Sequence, residues 1–279
     1  MLQRRLTTLL LGAVLAILSG VLLAQGDSIP RRADGKPDLN GIWQALNNAN
    51  WNLEAQVAKQ GAVESLGAIG AMTPGNSVVE GGTIPYSAAG LEQRKANFAS
   101  RRTEDPEAKC FMPGIPRGTY LPQPFQVFQT DTDIMMAYQY ADAVRTIYMS
   151  NHKNAPVDSW MGWSNGRWEG DTLVVEVKGL NPNWLDRSGN YYTNAVTVTE
   201  RYTPISPYHL QYEANINDPD VFEKPWTISM PLYRRVEEGA RLYEFKCPEF
   251  AEEIMYDYLD KENYFRNLGI DPSEVRNAQ

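Results

Sequence analysis

Glu200 is the ionisable residue whose setting most invites chemistry. If Ala195–Tyr202 is a strand, Val196, Val198 and Tyr202 share its face, because strand side chains alternate. A carboxylate among apolar neighbours is costly to bury unless it is paired. Two roles fit that setting: a general acid or base inside a barrel, or one half of a structural ion pair. Arg145, which alternates with Ile147 and Met149, is the partner the second role calls for. Trp168-Glu169-Gly170-Asp171 brings two more carboxylates close together. That spacing suits acid–base work at Asp171 or a metal, and equally a glycine turn in which Asp is a habitual resident. His152, in Asn151-His152-Lys153-Asn154, follows a strand pattern and sits where barrel-mouth loops lie. It could shuttle a proton near neutral pH or simply face solvent. His209 opens a strand and reads as a packing residue.

Much chemistry is excluded by what the chain lacks. Two histidines and two cysteines at these spacings match no zinc, haem or iron–sulfur pattern, and Met135, Met136, Met149 and Met161 read as core filling. There is no G-x-S-x-G, P-loop, dinucleotide fingerprint or H-E-x-x-H. No metal or cofactor is expected. A net charge of −8 argues against nucleic acid or an anionic membrane surface as partner.

The aromatic load is the remaining functional clue. Trp160, Trp163 and Trp168, with Tyr138, Tyr202 and Arg145, are the residues expected to line a ligand cavity. The leading expectation is a binding protein for a small apolar or aromatic molecule. A second is a lyase, isomerase or hydratase of the same fold, with Glu200 or Asp171 as acid–base and His152 assisting. A third is an envelope interaction module without a cavity.

The elements that must position these residues are mainly strands. Short runs over 125–130, 134–140, 144–149, 172–177, 195–202, 209–217, 227–233 and 241–245 are separated by turn signals. They predict an antiparallel meander closing into a calycin-like barrel or sandwich. Pro231 makes its run an edge or a bulge. Trp160–Val177 reads as a glycine-kinked aromatic corner feeding a strand, with Gly170-Asp171 as the turn. Before the sheet, residues 51–107 read as a helical and loop insertion: imperfect helix over Trp51–Met72, a glycine-rich loop, then a helix capped by Ser87. Prolines 106, 113, 116, 122 and 124 make an ordered connector. Phe250, Ile254, Met255, Tyr258 and Leu259 recur at helical spacing and predict a closing helix over 248–268.

Residues 1–24 carry Arg4-Arg5 and then a long apolar run, the pattern of a secretory signal or, uncleaved, of a membrane anchor. The rest, 25–279, is expected to be one β-rich domain in the periplasm or secreted. An oxidising compartment and an even count favour a Cys110–Cys247 disulfide over two buried thiols.

Leu39-Asn40-Gly41-Ile42-Trp43-Gln44 resembles the opening of lipocalin-like barrels, whose tryptophan packs across the barrel base. More extensively, the chain resembles a large family of exported bacterial β-rich proteins. The resemblance covers nearly all of the mature chain and is carried by Cys110-Phe111-Met112-Pro113-Gly114-Ile115-Pro116-Arg117, by the block Gly166-Arg167-Trp168-Glu169-Gly170-Asp171-Thr172-Leu173-Val174-Val175, and by Trp184-Leu185-Asp186. It implies export and a β-rich fold and imports no mechanism. Relatives often carry a His-Ser pair after the glycine equivalent to Gly189, where this chain has Asn190-Tyr191, so the resemblance supports no histidine-centred mechanism here.

Overall fold

The computed structural model describes residues 28–59, 73–247, 269 and 271. The segments read as a signal or anchor (1–24) and as a closing helix (248–268) lie outside them, as does most of the alanine-rich stretch.

Nine strands close into a barrel, and a two-stranded sheet sits beside it. The barrel strands are β1 (Gly41–Ala45), β2 (Phe125–Gln129), β3 (Asp133–Tyr138), β4 (Val144–Tyr148), β5 (Trp163–Glu169), β6 (Thr172–Lys178), β9 (Thr197–Ser206), β10 (His209–Asn217) and β11 (Trp226–Arg234). The small sheet pairs β7 (Asn183–Trp184) with β8 (Tyr191–Tyr192). Around the barrel the order is β1-β11-β10-β9-β6-β5-β4-β3-β2, and β2 pairs with β1 to close it. Buried and less buried residues alternate along β9 and β10, as a one-sided core requires. A helix, α1 (Ala88–Glu104), runs outside the barrel, and a single buried turn, α2 (Arg117–Tyr120), precedes β2. Ser87 caps α1 as expected, its side chain accepting from the Gly90 amide.

Five expectations need correction. The meander is not wholly antiparallel: β4 and β5 run parallel, with register pairs only at Ile147↔Ser164 and Tyr148↔Asn165. The long loop from Met149 to Gly162 returns the chain to the mouth before β5 starts, which makes the parallel pairing unavoidable. The aromatic corner is itself a strand, since Trp163–Glu169 forms a hairpin with β6. Gly166 permits it: a Cβ there would sit 2.5 Å from Ile147 and 2.6 Å from the Met149 sulfur. Gly170, at φ +60°, makes the expected turn. Residues 241–245 form no strand. The β11–β1 pairing leaves the barrel no free edge, so the amides of Tyr243 and Phe245 donate instead to the side chains of Gln139 and Asp142. Residues 51–59 make turns rather than helix. β11 lies between β10 and β1 in the closed ring and is neither the edge nor the bulged strand expected of Pro231, which is tolerated because it falls where β11 has outrun β1, paired only with Leu232–Arg234.

The barrel has two different ends. At the base, residues 28–40 cross beneath the strands, with the Leu39 amide donating to Gln129 Oε1 and the Gln129 amide donating to Asn40 Oδ1. At the mouth, where β1 ends and β2 begins, lie α2, the β7–β8 sheet and α1. Gly118 of α2 lies against the Tyr138 ring, and the Tyr120 hydroxyl donates to the Leu185 carbonyl. The Cys110–Cys247 disulfide forms, with its Cα atoms 5.9 Å apart, and ties the end of β11's exit strap to the proline-rich connector.

Candidate functional site

The inward faces of β4, β9 and β10 build a polar cluster on the barrel axis. Period-two alternation turns Arg145 inward beside Ile147, and Glu200 inward between Val198 and Tyr202. Tyr202 and Tyr212 stand opposite each other in the β9–β10 register, rings 5.0 Å apart. Both hydroxyls donate to Glu200 Oε1 at 2.8 Å, while Arg145 Nη1 donates to Oε2 at 2.7 Å. Arg145 Nη2 reaches the Tyr202 oxygen at 3.0 Å and the Met136 sulfur at 3.3 Å. The Arg145 side chain is 2% exposed and that of Glu200 is fully buried.

Electrostatics lock this arrangement. Burial pushes the Tyr138 phenol up to about 12, and pushes Tyr202 and Tyr212 well above the ordinary range, with the nearby Glu200 charge adding to the effect. Burial alone would lower the Arg145 value, but Glu200 and the surrounding phenols outweigh it and hold the guanidinium charged. A buried carboxylate with three donors and a buried cation with its own anion form a settled pair. Of the two roles open to Glu200, the geometry builds the ion pair with Arg145.

A cleft of about 380 Å³ opens at the mouth, beside this cluster. It lies where β4 and residues 159–163 have not yet come into register, and its lining includes Met112, Val144, Arg145, Tyr148, Trp160 and Trp163. The Trp163 ring stacks on Tyr148 with centroids 4.7 Å apart, and Phe111 leans on Trp160 at 5.3 Å. Phe111, Met112 and Val144 are exposed at its rim. The disulfide at Cys110 fixes that rim next to Phe111.

The residues singled out from sequence thus fall into separate places. Arg145, Glu200, Tyr138 and Tyr202 meet on the axis; Trp160 and Trp163 join Arg145 at the cleft. Trp168 and Asp171 lie at the opposite, closed end, where Lys36 sits 5.9 Å over the Trp168 ring and Arg31 clamps Asp171 at 2.6 and 2.8 Å. His152 lies in an exposed loop, its Nε2 2.8 Å from the Gly166 carbonyl oxygen, in a polar cleft of about 550 Å³ with Lys153, Asn165 and Arg167. Glu200, Asp171 and His152 are therefore not gathered into one acid–base site. Trp168 does not share a cavity with Trp160 and Trp163, because the β5–β6 hairpin carries it the length of the strand away.

Two buried groups at the mouth escaped the sequence reading. Arg117 donates to Asp105 at 3.1 Å and to Glu107 at 2.6 Å, and Arg187 grips the same Glu107 at 2.5 and 2.9 Å. Burial opposes the Glu107 charge, but the two arginines win and hold the carboxyl below its usual range. Asp186 accepts from the amides of Leu53, Ser188 and Asn190 and from the Asn190 side chain, yet burial pushes it up to about 6. Both clusters stitch non-barrel segments to the mouth. Their residues lie in proline-rich or turn-rich stretches without periodicity, so no facing pattern could betray them. The role of Tyr212 was half legible: it sits on the inward face with Leu210 and Ala214, but its partner across the sheet depends on register.

Among the described residues no group of three or more His, Cys, Asp or Glu side chains is arranged to hold a metal ion. No protein-family model and no curated protein matches this chain.

Proposed function

We propose that this is an exported protein, periplasmic or secreted and akin to the large family of β-rich proteins it resembles, that binds a small, largely apolar aromatic molecule at the mouth of its barrel. The carrying observation is the cleft of about 380 Å³ whose wall stacks Trp163 on Tyr148 and whose lining also includes Trp160, Met112 and Val144. Its size falls within the range of small-molecule sites, and its lining is predominantly apolar with one charged residue, the usual composition of such sites. The binding place moves from the axis, where a lipocalin-like reading puts it, to the wall. The axis is filled by Trp43, Tyr202, Tyr212 and the Arg145–Glu200 pair, all buried. The disulfide supports an oxidising location, and residues 1–24 supply the export signal in this reading.

An acid–base role for Glu200 finds less support, because its acceptors are already taken by Arg145, Tyr202 and Tyr212. The test is native mass spectrometry of the mature protein released from its own envelope, with identification of anything freed on denaturation. A retained aromatic molecule that is lost from Trp160→Ala supports the reading. A clean apo mass, with no thermal shift from an aromatic panel, overturns it.

A further inference from the structure

The outer wall beside the cleft indicates what else the ligand carries, on the footing of the binding role proposed above. Strand alternation turns Arg145 and Ile147 inward and leaves Val144, Thr146 and Tyr148 facing out. Trp163 faces out with them, since β5 sets its buried neighbour Ser164 beside Ile147. Register carries the surface on: Thr146 lies beside Met135, which lies beside Phe128, and Val144 lies beside Ala137. Val144 and Thr146 also line the cleft, so cleft and row are one continuous surface. Phe128 and Met135 are each 39% exposed, and Val144 is 51% exposed.

Across the ring the wall is of a different kind. β9 and β10 turn out Thr199, Arg201, Gln211, Glu213 and Asn215. On β2, β3 and β4 the only outward charge is Asp133, at the base end beside Tyr148. Apolar residues exposed singly need no explanation, but a contiguous apolar face marks a binding surface. These few side chains fall far short of the roughly 20–30 residues per partner that a protein interface uses. Their spread suits a narrow ligand instead. From Thr146 across Met135 to Phe128 is two strand spacings, about 10 Å, the reach of about eight methylenes. A flat ring fits the tryptophan side, where Trp163 stacks on Tyr148. An anionic head group would find no free counter-charge, because Arg145 is turned inward and matched by Glu200 at 2.7 Å.

We propose that the ligand is an uncharged, alkyl-substituted aromatic compound, its ring in the cleft against Trp160 and Trp163 and its aliphatic chain laid across Met135 and Phe128 on the outer wall.

Titration calorimetry of the full chain with 4-ethyl-, 4-butyl-, 4-hexyl-, 4-octyl- and 4-decylphenol, all uncharged near neutral pH, tests this. Affinity is expected to rise about two-fold per methylene up to octyl, against about four-fold for a fully buried methylene, and to level off at decyl. 4-Octylbenzoate, which is charged, should bind at least about five-fold more weakly than 4-octylphenol. Phe128→Thr combined with Met135→Thr places a strand-compatible residue at two exposed positions. It should leave ethylphenol binding within about two-fold and cut the butyl-to-octyl gain from about sixteen-fold to about four-fold or less. Affinity independent of chain length, benzoate as the tighter ligand, or an unchanged gain in the double variant would each overturn the inference while leaving the binding role standing. Failure of every phenol to bind the wild-type protein overturns the binding role and the inference together. The wild-type series carries the test even if the variant folds poorly.

Discussion

A tryptophan and an arginine stand near each end of this barrel, and their N–H groups are used in opposite ways. At the base, Trp43 donates its indole N–H to the Leu39 carbonyl at 2.9 Å, and Arg234 lies 4.3 Å over its ring. Arg234 in turn donates to the carbonyls of Asp38, Asn40 and Pro207, so every nitrogen is used. Gly41, at φ +128°, leaves room for that guanidinium, since a Cβ there would meet it at 2.6 Å. At the mouth, Trp163 and Arg145 each keep an N–H without an acceptor, and a cleft lies against them. A saturated pair closes a fold. At the mouth, two residues that line an opening each keep an N–H unbonded, and that difference separates the two places.

The largest expected effect tests whether the mouth depends on its covalent tie. Cys110→Ser removes a link between residues 137 apart, a closure worth about 5 kcal/mol in the chain-entropy model. Denaturant unfolding should register most of that loss. Native-state hydrogen exchange should place the loosened amides around 105–120 and 139–142, with β1 and β11 at the base unchanged. Uniform loosening would deny the two ends their independence.

Breaking the axial pair comes next. Arg145→Leu leaves Glu200 buried with only the two phenols and should cost about 3–5 kcal/mol, whereas Arg145→Met with Glu200→Leu should recover most of it. Urea midpoints of the two proteins decide this. A double variant as unstable as the single would mean that the pair has value beyond charge balance.

The comparison sharpens with one substitution made at each end. Trp43→Phe removes a made hydrogen bond and opens space in a fully buried site, for about 1–3 kcal/mol. Trp163→Phe removes no bond made within the protein and should cost under about 1 kcal/mol. Equal costs in thermal unfolding would erase the distinction between the two tryptophans.

The smallest effect is on pH. Burial lifts Asp186 from 3.8 to about 6 in the folded chain, so the folded protein holds that proton more tightly than the unfolded one. The stability this gives is full below about pH 4 and is lost as pH rises through 6. At the base, Arg31 lowers Asp171, so its contribution runs the other way, present above the unfolded value and lost as pH falls. Asp186→Asn should flatten the slope between pH 4 and 6 in unfolding experiments and leave the acid limb intact. An unchanged slope would locate that titration elsewhere.

The barrel was legible because its strands announce themselves through alternation, and Glu200 could be placed facing inward on that ground alone. Its partnership with Arg145 was legible too, since both stand on inward faces of strands. Tyr212 as a second donor was not, because which residue of β10 meets Tyr202 of β9 is fixed by register, and register comes from closing the whole ring. The parallel β4–β5 pair was hidden for a related reason: direction depends on where the loop over 149–162 returns, and local periodicity is blind to it. Gly166 misled, since a glycine in a strand usually signals a bend, and here it admits Ile147 and Met149 at close range. The cleft itself exists because those two strands fail to pair at their start, a feature with no sequence signature at all.

The most direct measurement is a ¹H–¹⁵N titration of the tryptophan indole resonances, assigned through Trp43→Phe and Trp163→Phe, against 1-acetylnaphthalene. The mouth account predicts a saturable shift of the Trp163 indole signal, larger than any other, with the Trp43 signal unmoved. A shift centred on Trp43, or none at Trp163 when binding is saturated, would contradict it.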